Sequence, residues 1–265
     1  MKTIRLFTVM ILVLSYTLIM AQTTNQSQVA SSGGGTSSGG IYSNFAVVGE
    51  PFVAYHTVGG AYQSNDGFIY RLSDATILNL TLYLEGLFNG AGLNKTQNTT
   101  GNQFPDLVAD KINIELHNPL NYPTIAYSAA NVSLSTTGQA SINIPESTSG
   151  SYYVTVKHRN SLETVSAQPV NFSGGTKAYN FTNSAIQAYG NNLKLLASGI
   201  YGIYAGDANA DGLINSTDVN LISTSATNFN IGYLTNDLNG DGIVDALDLI
   251  VVDNNAANFK MKITP

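Results

Sequence analysis

The residues with the most evident chemistry lie in two acidic loops near the C-terminal end of the chain. Each loop has Asp or Asn at positions 1, 3, 5 and 9, Gly at position 6, a backbone carbonyl at position 7 and Asp at position 12. Calcium is a hard cation that takes six to eight oxygen ligands, and this spacing presents them around one wrapped loop. The sequence therefore predicts two Ca²⁺ ions. Their candidate ligands are Asp207, Asn209, Asp211, Leu213, Asn215 and Asp218 in the first loop, and Asp237, Asn239, Asp241, Ile243, Asp245 and Asp248 in the second.

The two loops belong to an internal repeat. The segment GDANADGLINSTDVNLISTSATNF aligns with NDLNGDGIVDALDLIVVDNNAANF, so that Asp207 falls on Asp237 and Phe229 on Phe259. After each loop, apolar residues recur at helical spacing, and we expect each helix to begin near loop positions 10–12. One such loop could be a chance surface turn, but two in register favour calcium binding. The helices are predicted to pack on each other through the two phenylalanines and through equivalent apolar residues: Val219, Leu221 and Ile222 with Leu249, Val251 and Val252.

Both loops differ from an ordinary EF-hand. Position 12 is Asp rather than Glu, and the residues GIYGIYAG before the first loop indicate strand or coil instead of an entering helix. This combination resembles the type I dockerin over about residues 203–260. The resemblance implies a small α-helical calcium-binding domain that docks into a cohesin domain. It also implies partner-binding residues at loop positions 10 and 11, which are Ser216, Thr217, Ala246 and Leu247. A purely structural calcium module without an external partner is the alternative.

The distribution of charge points to the same part of the chain. The protein has 265 residues, a formal net charge of −6 and no Cys. The last 65 residues hold eight Asp against Lys260 and Lys262, so the whole net charge belongs to this quarter. Two Ca²⁺ ions would offset most of it. The absence of Cys excludes disulfides, thiolate metal sites and cysteine nucleophiles, and at this net charge no nucleic-acid partner is expected.

The first 21 residues are typical of a secretory signal peptide. Lys2 and Arg5 precede an apolar stretch, 6–20, which ends at the small residue Ala21. The stretch is shorter than the ~20 residues of a membrane span, and no later stretch is apolar for long enough. We therefore expect an exported protein, secreted, extracellular or at the cell surface, with no membrane span in the mature chain. Residues 22–40 are nearly all small or polar, which predicts a flexible linker.

Short strand-like runs separated by turn residues fill the middle of the chain. Residues 41–73 suggest a short β meander, and residues 74–199 carry about seven further strands. Apolar alternation is visible at Ile112, Ile114 and Leu116. This pattern predicts an immunoglobulin-like β-sandwich. Residues 90–110 show little periodicity and are predicted to form a long exposed loop.

This β-rich body resembles the β-domains of secreted modular bacterial surface proteins. The likeness rests on GSYYVTVKHRNSLETVSAQPVNF, LEGLFNG and VADKINIELHN, and covers roughly residues 76–200. It implies a noncatalytic surface or attachment module. The residues themselves give no sign of an enzyme, because His56, His117 and His158 are far apart and no G-x-S-x-G elbow occurs. We expect no catalytic residues.

Sugar binding is a further option for the β-rich body. Aromatic rings can stack on sugars, although Tyr also suits strands without any ligand. The candidate tyrosines are Tyr83, Tyr122, Tyr127, Tyr152 and Tyr153.

The sequence thus predicts a mainly β chain with five segments. These are a signal peptide (1–21), a linker (22–40), an extra N-terminal β segment (41–73), a β-sandwich (74–199) and a dockerin-like calcium-binding domain (200–265). We expect a noncatalytic surface or scaffold-associated protein whose partner is a cohesin-like or other surface protein. The alternatives are a carbohydrate-binding component of a polysaccharide-degrading assembly, and a self-associating subunit of an extracellular filament or matrix.

Overall fold

The computed structural model describes residues 75–265 throughout and, before them, the backbone of six strands between residues 28 and 71. The predicted signal peptide, 1–21, lies outside the described residues. The chain divides into two units, Met1–Asp74 and Ala75–Pro265. In the described part of the chain, neither helix has the length and the apolar run that a bilayer crossing requires.

The first unit contains paired strands. They are β1 Gln28–Ala30, β2 Gly34–Gly39, β3 Tyr42–Ala46, β4 Ala54–Thr57, β5 Tyr62–Asn65 and β6 Phe68–Arg71. The first four form an antiparallel sheet in the order β1–β2–β3–β4, and β5 pairs with β6. Strands β3 to β6 lie within the predicted meander of 41–73. Strands β1 and β2 lie within 22–40, where composition predicted a flexible linker; pairing of backbone N–H and C=O groups needs no apolar side chain.

The second unit holds two larger sheets and two small hairpins. Its strands are β7 Thr76–Thr81, β8 Gln97–Asn98, β9 Gly101–Asn102, β10 Val108–Asn118, β11 Asn121–Ser135, β12 Gln139–Ile144, β13 Ser151–His158, β14 Ser161–Val165, β15 Val170–Asn171, β16 Thr176–Asn180, β17 Lys194–Ala197 and β18 Ile200–Gly202. One sheet has the order β12–β7–β16, and the other has the order β11–β10–β13–β14 with β15 paired to β13. Strands β7 and β16 run parallel, whereas the other pairs are antiparallel. The predicted mainly β architecture is confirmed.

Alternating apolar residues explain the sandwich. In β10, Ile112, Ile114 and Leu116 are buried, while Asn113 between the first two is exposed. The same alternation buries one face of β7 and β12, and the inner faces of both sheets meet in one apolar core. Burial of such side chains contributes roughly 1.5–3 kcal/mol each. Short 3₁₀ turns at Glu85–Leu87, Glu146–Thr148, Ala185–Gln187 and Tyr189–Asn191 connect the strands.

Residues 90–110 differ from the predicted exposed loop. They include the β8–β9 hairpin and the first residues of β10. Thr96 is fully buried, and its hydroxyl and its N–H donate to the carbonyl of Ala109 at 2.8 Å and 3.0 Å. Backbone hydrogen bonds help to hold this segment. Such bonds do not depend on apolar side chains, so the sequence of the segment shows no apolar periodicity.

Two α-helices follow the acidic loops. Helix α1 is Ser216–Thr227 and helix α2 is Ala246–Ala256, so both begin at loop position 10, as predicted. Each start is a capping box, formed by Asn215 with Asp218 and by Asp245 with Asp248. The helices share a second apolar core, in which Ile222 and Val252 are fully buried.

The turn between β13 and β14 joins the sandwich to this second core. Leu162 of β14 lies among the core residues of the two helices. Its N–H donates to the carbonyl of Tyr204 at 2.9 Å, and the N–H of Gly206 donates to the carbonyl of Asn160 at 2.8 Å. The residues on both sides of the predicted domain boundary at 199/200 therefore form one compact unit.

A buried charge network completes this junction. Asp110 is fully buried, and its Oδ1 accepts from the hydroxyl of Tyr233 at 2.5 Å. Its Oδ2 accepts from His158 Nε2 at 3.0 Å and from Arg159 Nε at 3.2 Å. Burial alone would raise the pKa of Asp110, but His158, Arg159 and Tyr233 outweigh burial and hold it at about 2. Burial lowers the pKa of His158, so this ring is neutral near pH 7.

We expect Tyr233→Phe to lower the free energy of unfolding by about 1.5–3 kcal/mol, because it removes one hydrogen bond to a buried carboxylate. The contribution of Asp110 is fully present above its unfolded pKa of 3.8 and is lost as the pH falls toward its folded value of about 2. The difference in the free energy of unfolding between the wild type and the variant should thus be constant from pH 7 to 5 and become smaller below pH 4. Urea titrations across this range measure it.

The matched control is Tyr201→Phe, whose hydroxyl makes no hydrogen bond to the described residues. We expect it to change stability by no more than about 0.5 kcal/mol. Equal effects of the two variants would contradict a specific role for Tyr233.

Candidate metal centres

The first loop contains a buried oxygen without a donor. The carboxylate of Asp207, at position 1, is almost fully buried, and its Oδ2 accepts from the N–H of Gly212 at 3.0 Å. Its Oδ1 is buried and has no hydrogen-bond partner among the described residues. Leaving such an oxygen unsatisfied costs about 1–3 kcal/mol. A cation in the loop would satisfy it.

The second loop has the same arrangement with one difference. Asp237, at position 1, is fully buried, and its Oδ2 accepts from the N–H of Gly242 at 3.1 Å. Its Oδ1 also accepts, from the N–H of Gly240 at 2.8 Å. In both loops the side chains at positions 3 and 5 are joined, because Asn209 donates to Asp211 at 2.8 Å and Asn239 to Asp241 at 2.9 Å.

The carboxylate at position 12 ties the start of each helix to the start of its loop. Oδ1 of Asp218 accepts from the N–H groups of Ala208 and Asn209 at 3.0 Å and 3.3 Å, and Oδ2 accepts from that of Asn215 at 3.0 Å. Asp248 makes the three equivalent bonds in the second loop, at 2.7, 3.1 and 2.9 Å. Both carboxylates are fully buried. Six backbone N–H groups thus hold the two carboxylates in place.

The two buried carboxylates at position 1 have no ion-pair partner among the described residues. Burial raises the pKa of Asp207 to about 6, and Asp218 and Asp211 add to the shift. Burial also raises the pKa of Asp237 to about 6, against the lowering effect of Arg159. Among the described residues, no Lys, Arg or His forms an ion pair with either of them. Buried charges in proteins are paired or coordinate metals, so the loops fit a dication.

Carboxylates alone do not complete either centre. In the part of the chain that the structure describes, no three acidic, histidine or cysteine side chains are close enough to hold a metal by themselves. A cation would therefore also need the amide oxygens at position 3 and the backbone carbonyls of Leu213 and Ile243 at position 7. Asn215 and Asp245, at position 9, accept from the N–H groups of Thr217 and Leu247 at 2.6 Å and 2.7 Å as helix caps.

Each loop is paired with the segment that follows the other repeat's helix. The N–H of Lys262 donates to the carbonyl of Gly212 at 2.8 Å, and the N–H of Ile214 donates to the carbonyl of Lys260 at 2.8 Å. In the other half, the N–H of Gly232 donates to the carbonyl of Gly242 at 2.7 Å. Each repeat thus supplies the segment that pairs with the loop of the other repeat. Neither repeat makes all of these hydrogen bonds alone.

The four predicted partner-binding residues lie at the exposed starts of the helices. Ser216 and Thr217 open α1, and Ala246 and Leu247 open α2, with Leu247 54% exposed. Ser216, Val219 and Phe259 line a shallow groove between the start of α1 and the end of α2.

The predicted helix packing is confirmed in part. Ile222 and Val252 are buried, and Val219, Leu249 and Val251 pack against them. Leu221, in contrast, is exposed, and Phe229 and Phe259 are 85% and 78% exposed, so their predicted burial is wrong. Both phenylalanines have positive φ, 53° and 47°, where the chain turns after each helix and directs the ring away from the core.

The two histidines of the second unit, His117 and His158, contact other side chains of the sandwich. His158 Nδ1 lies 2.9 Å from Ser161 Oγ, which together with Asp110 gives the order of a catalytic triad. Ser161 is buried, however, and its backbone bridges to Ala205, so a substrate has no access to its hydroxyl. His117 stacks on Tyr122 with ring centroids 4.3 Å apart. The side chain of His56 lies outside the described residues.

The tyrosines considered as sugar platforms have partners within the sandwich. Tyr83 packs on Phe88, Tyr152 on Phe172, and Tyr122 on both His117 and Tyr153. Tyr127 packs against the apolar core and donates its hydroxyl to the carbonyl of Asn143 at 3.0 Å.

Sequence reasoning missed Asn160, which contacts the second loop, and Arg159, which contacts the segment just before it. Asn160 Nδ2 donates to the carbonyl of Asp237 at 2.8 Å, and Arg159 Nη1 donates to the carbonyl of Leu234. In the sequence, these two residues belong to a polar turn between two apolar strands. This pattern predicts the turn but not its contact with Leu234, 75 residues further along the chain.

No protein-family model matches the sequence, and no curated protein matches it either. Among solved structures, two chains of a type II cohesin-X-dockerin complex from Acetivibrio cellulolyticus, carrying C-terminal and N-terminal interface mutations, are similar at 14% identity. The first match covers 69% of this chain and 99% of the other with a TM-score of 0.41, and the second covers 70% and 99% with a TM-score of 0.38. Because both TM-scores are low, neither likeness establishes the fold or the family of this chain.

Proposed function

We propose that this chain is an exported, noncatalytic protein that binds two Ca²⁺ ions in its tail and docks through the helices of that tail onto a cohesin-like or other surface protein. The observation that carries the proposal is the buried Oδ1 of Asp207, which lacks a donor in a loop of calcium-binding spacing. The role of calcium is to neutralise carboxylates that the fold has already buried. The two helices then present the docking surface.

Calcium fits the donor set better than other common metals. The loops offer carboxylate, amide and carbonyl oxygens, and the chain has no thiolate. Hard oxygen ligands in a flexible loop suit calcium, whereas zinc and copper favour imidazole or sulfur. Gly at position 6 has φ values of 86° and 83° in the two loops, which permits the sharp turn between ligands.

The apolar residues left on the helix surface support docking. Leu221, Leu247 and Ile250 are exposed, as are the two phenylalanines at the helix ends. A non-glycine residue with positive φ costs roughly 1–2 kcal/mol, so the turns that direct Phe229 and Phe259 outward form at an energetic cost. Exposed apolar patches mark interaction surfaces, and Phe259 lies beside Val219 in the groove at the start of α1. This surface favours a protein partner over a purely structural module.

Calcium is expected to stabilise the second unit strongly. Saturating calcium should raise the melting temperature by roughly 10 °C, because each site adds about 2–4 kcal/mol at high occupancy. Differential scanning calorimetry with calcium and then with a chelator measures the shift. The double variant Asp218→Ala/Asp248→Ala is the control and should show no shift. A wild-type melting curve that the chelator leaves unchanged would rule calcium out.

The second site is predicted to bind calcium more tightly than the first. It has carboxylates at four positions, Asp237, Asp241, Asp245 and Asp248, whereas the first loop has Asn215 at position 9. Affinity rises with ligand charge. Asn215→Asp should therefore reduce the difference in calcium affinity between the two sites. The variant keeps the helix cap, because Asp245 caps the helix at the same position of the second loop. Titration calorimetry measures both sites, with Ser216→Asp as the control for a nearby charge outside the ligand set. A tighter first site in the wild type would contradict the ranking.

Docking is tested with the full mature chain immobilised in calcium and exposed to the proteins of the native cell envelope. We expect a defined partner that elutes with chelator. Leu247→Lys places a charge in the apolar surface and should reduce capture at least about tenfold. The matched control is Leu120→Lys, on a residue that is 95% exposed in the turn between β10 and β11. Capture that depends on neither calcium nor Leu247 would contradict this docking surface.

A further inference from the structure

The second acidic loop is held by the sandwich at both ends of its turn. The N–H of Gln97, at the start of β8, donates to the carbonyl of Gly240 at 2.8 Å. Asn160, in the turn between β13 and β14, donates its amide N–H to the carbonyl of Asp237 at 2.8 Å, and this bond is buried. Loop positions 1 and 4 are thus both fixed by residues of the sandwich.

The backbone of the second loop also touches the sandwich directly. A Cβ on Gly240 would lie 2.5 Å from Leu87 Cδ2 and 3.0 Å from Thr96 Cγ2, closer than side chains pack. In the first loop the same position is Ala210, which is exposed and has a φ of 57°, close to the 74° of Gly240. The first loop therefore tolerates alanine at this backbone conformation, and the contact with the sandwich is the added reason for glycine in the second loop.

The first loop shares the pairing with the other repeat, but among the described residues its backbone accepts no hydrogen bond from the sandwich. Its Gly212 carbonyl accepts from the N–H of Lys262, in the last residues of the chain. This C-terminal segment is fixed in turn by Asn192, whose amide N–H donates to the carbonyl of Met261 at 2.9 Å. Asn209, Ala210 and Asp211 on the other side of the loop are exposed. The two loops are alike in sequence but rest on different parts of the molecule.

We propose that Asn160 and the 96–97 segment are positioning elements of the second calcium site, so that the sandwich sets the affinity of that site, while the first site depends on the C-terminal segment. The inference rests on the proposed calcium binding. A loop already held in its binding conformation loses less conformational entropy when the ion binds. Thermodynamic linkage is reciprocal. If the contact with the sandwich raises the calcium affinity of the second loop by a given factor, calcium strengthens that contact by the same factor.

Arg159 gives a second reason for coupling. Its guanidinium is fixed by Asp110 and by the ring of Tyr233, 4.6 Å away, and its buried Nη2 has no hydrogen-bond partner among the described residues. Its Nη1 donates to the carbonyl of Leu234, three residues before Asp237. A positive charge from the sandwich thus belongs to the surroundings of the second loop, and the carboxylate count alone does not describe them.

The test measures calcium affinity by titration calorimetry in two single-site backgrounds of the full mature chain. Asp218→Asn disables the first loop and reports on the second, and Asp248→Asn does the reverse. Asn160→Ala should weaken calcium binding about tenfold in the second loop and less than about twofold in the first. The matched variant Asn192→Ala, which also removes a buried amide donor to a backbone carbonyl, should show the opposite selectivity.

Two further variants separate contact with the sandwich from strain in the loop. Gly240→Ala should weaken the second site at least about tenfold, whereas Ala210→Gly should change the first site less than about twofold. Circular dichroism at saturating calcium, in which each variant should keep the spectrum of its background, verifies that the chains are folded.

The outcomes are distinguishable. If neither single-site background binds calcium, the proposed function fails. If both bind calcium but Asn160→Ala and Gly240→Ala leave the second site unchanged, the sandwich does not position that loop and the inference is overturned. If Asn160→Ala weakens both sites equally, its effect is a general loss of stability and the inference is overturned as well.

Discussion

The structure of the tail depends on the burial of carboxylates at loop positions 1 and 12. Asp207, Asp218, Asp237 and Asp248 are almost or fully buried, and none has an ion-pair partner among the described residues. Their hydrogen bonds to backbone N–H groups fix the loop turns and the first turns of both helices. The same groups that organise the backbone thus carry the negative charge that the proposed Ca²⁺ ions would neutralise.

The exchange of segments between the repeats explains why two copies occur together. Each loop is closed by the residues that follow the other helix, through 230–232 and 260–262. A single loop and helix would leave these backbone groups unpaired and Ile222 or Val252 exposed. The pair still forms only a small core, and Leu162 from the sandwich enlarges it. Small domains bury too little apolar surface to be stable alone, which makes both the metal and the sandwich contact valuable.

Sequence reasoning succeeds here where the signal is local. Loop spacing, the helix starts at position 10 and the strand Gln139–Ile144 follow from short patterns of residue type, and the structure confirms the two helix starts and this strand. It fails where the deciding contact joins distant segments. Phe229 and Phe259 continue the apolar pattern of the helices, but a turn with positive φ directs them outward. The order in 90–110 comes from backbone bonds to Ala109 and Gly240, which composition does not record.

The repeats differ most where the sandwich touches them. Position 4 is Ala210 in the exposed first loop and Gly240 in the second, which lies against Leu87. Ser225 of α1 corresponds to Asn255 of α2, and only Asn255 reaches the sandwich, donating to Glu85 at 2.7 Å in a network that includes Lys194. Helix α2 is thereby hydrogen-bonded to the sandwich, whereas Ser225 of α1 accepts from Asn230 and Asn236 instead. A partner that docked on this surface would contact the polar residues Ser216 and Thr217 at the start of α1, and the apolar residues Ala246 and Leu247 at the start of α2. A twofold-rotated docking would exchange these two environments, so the two orientations of such a partner would not be equivalent.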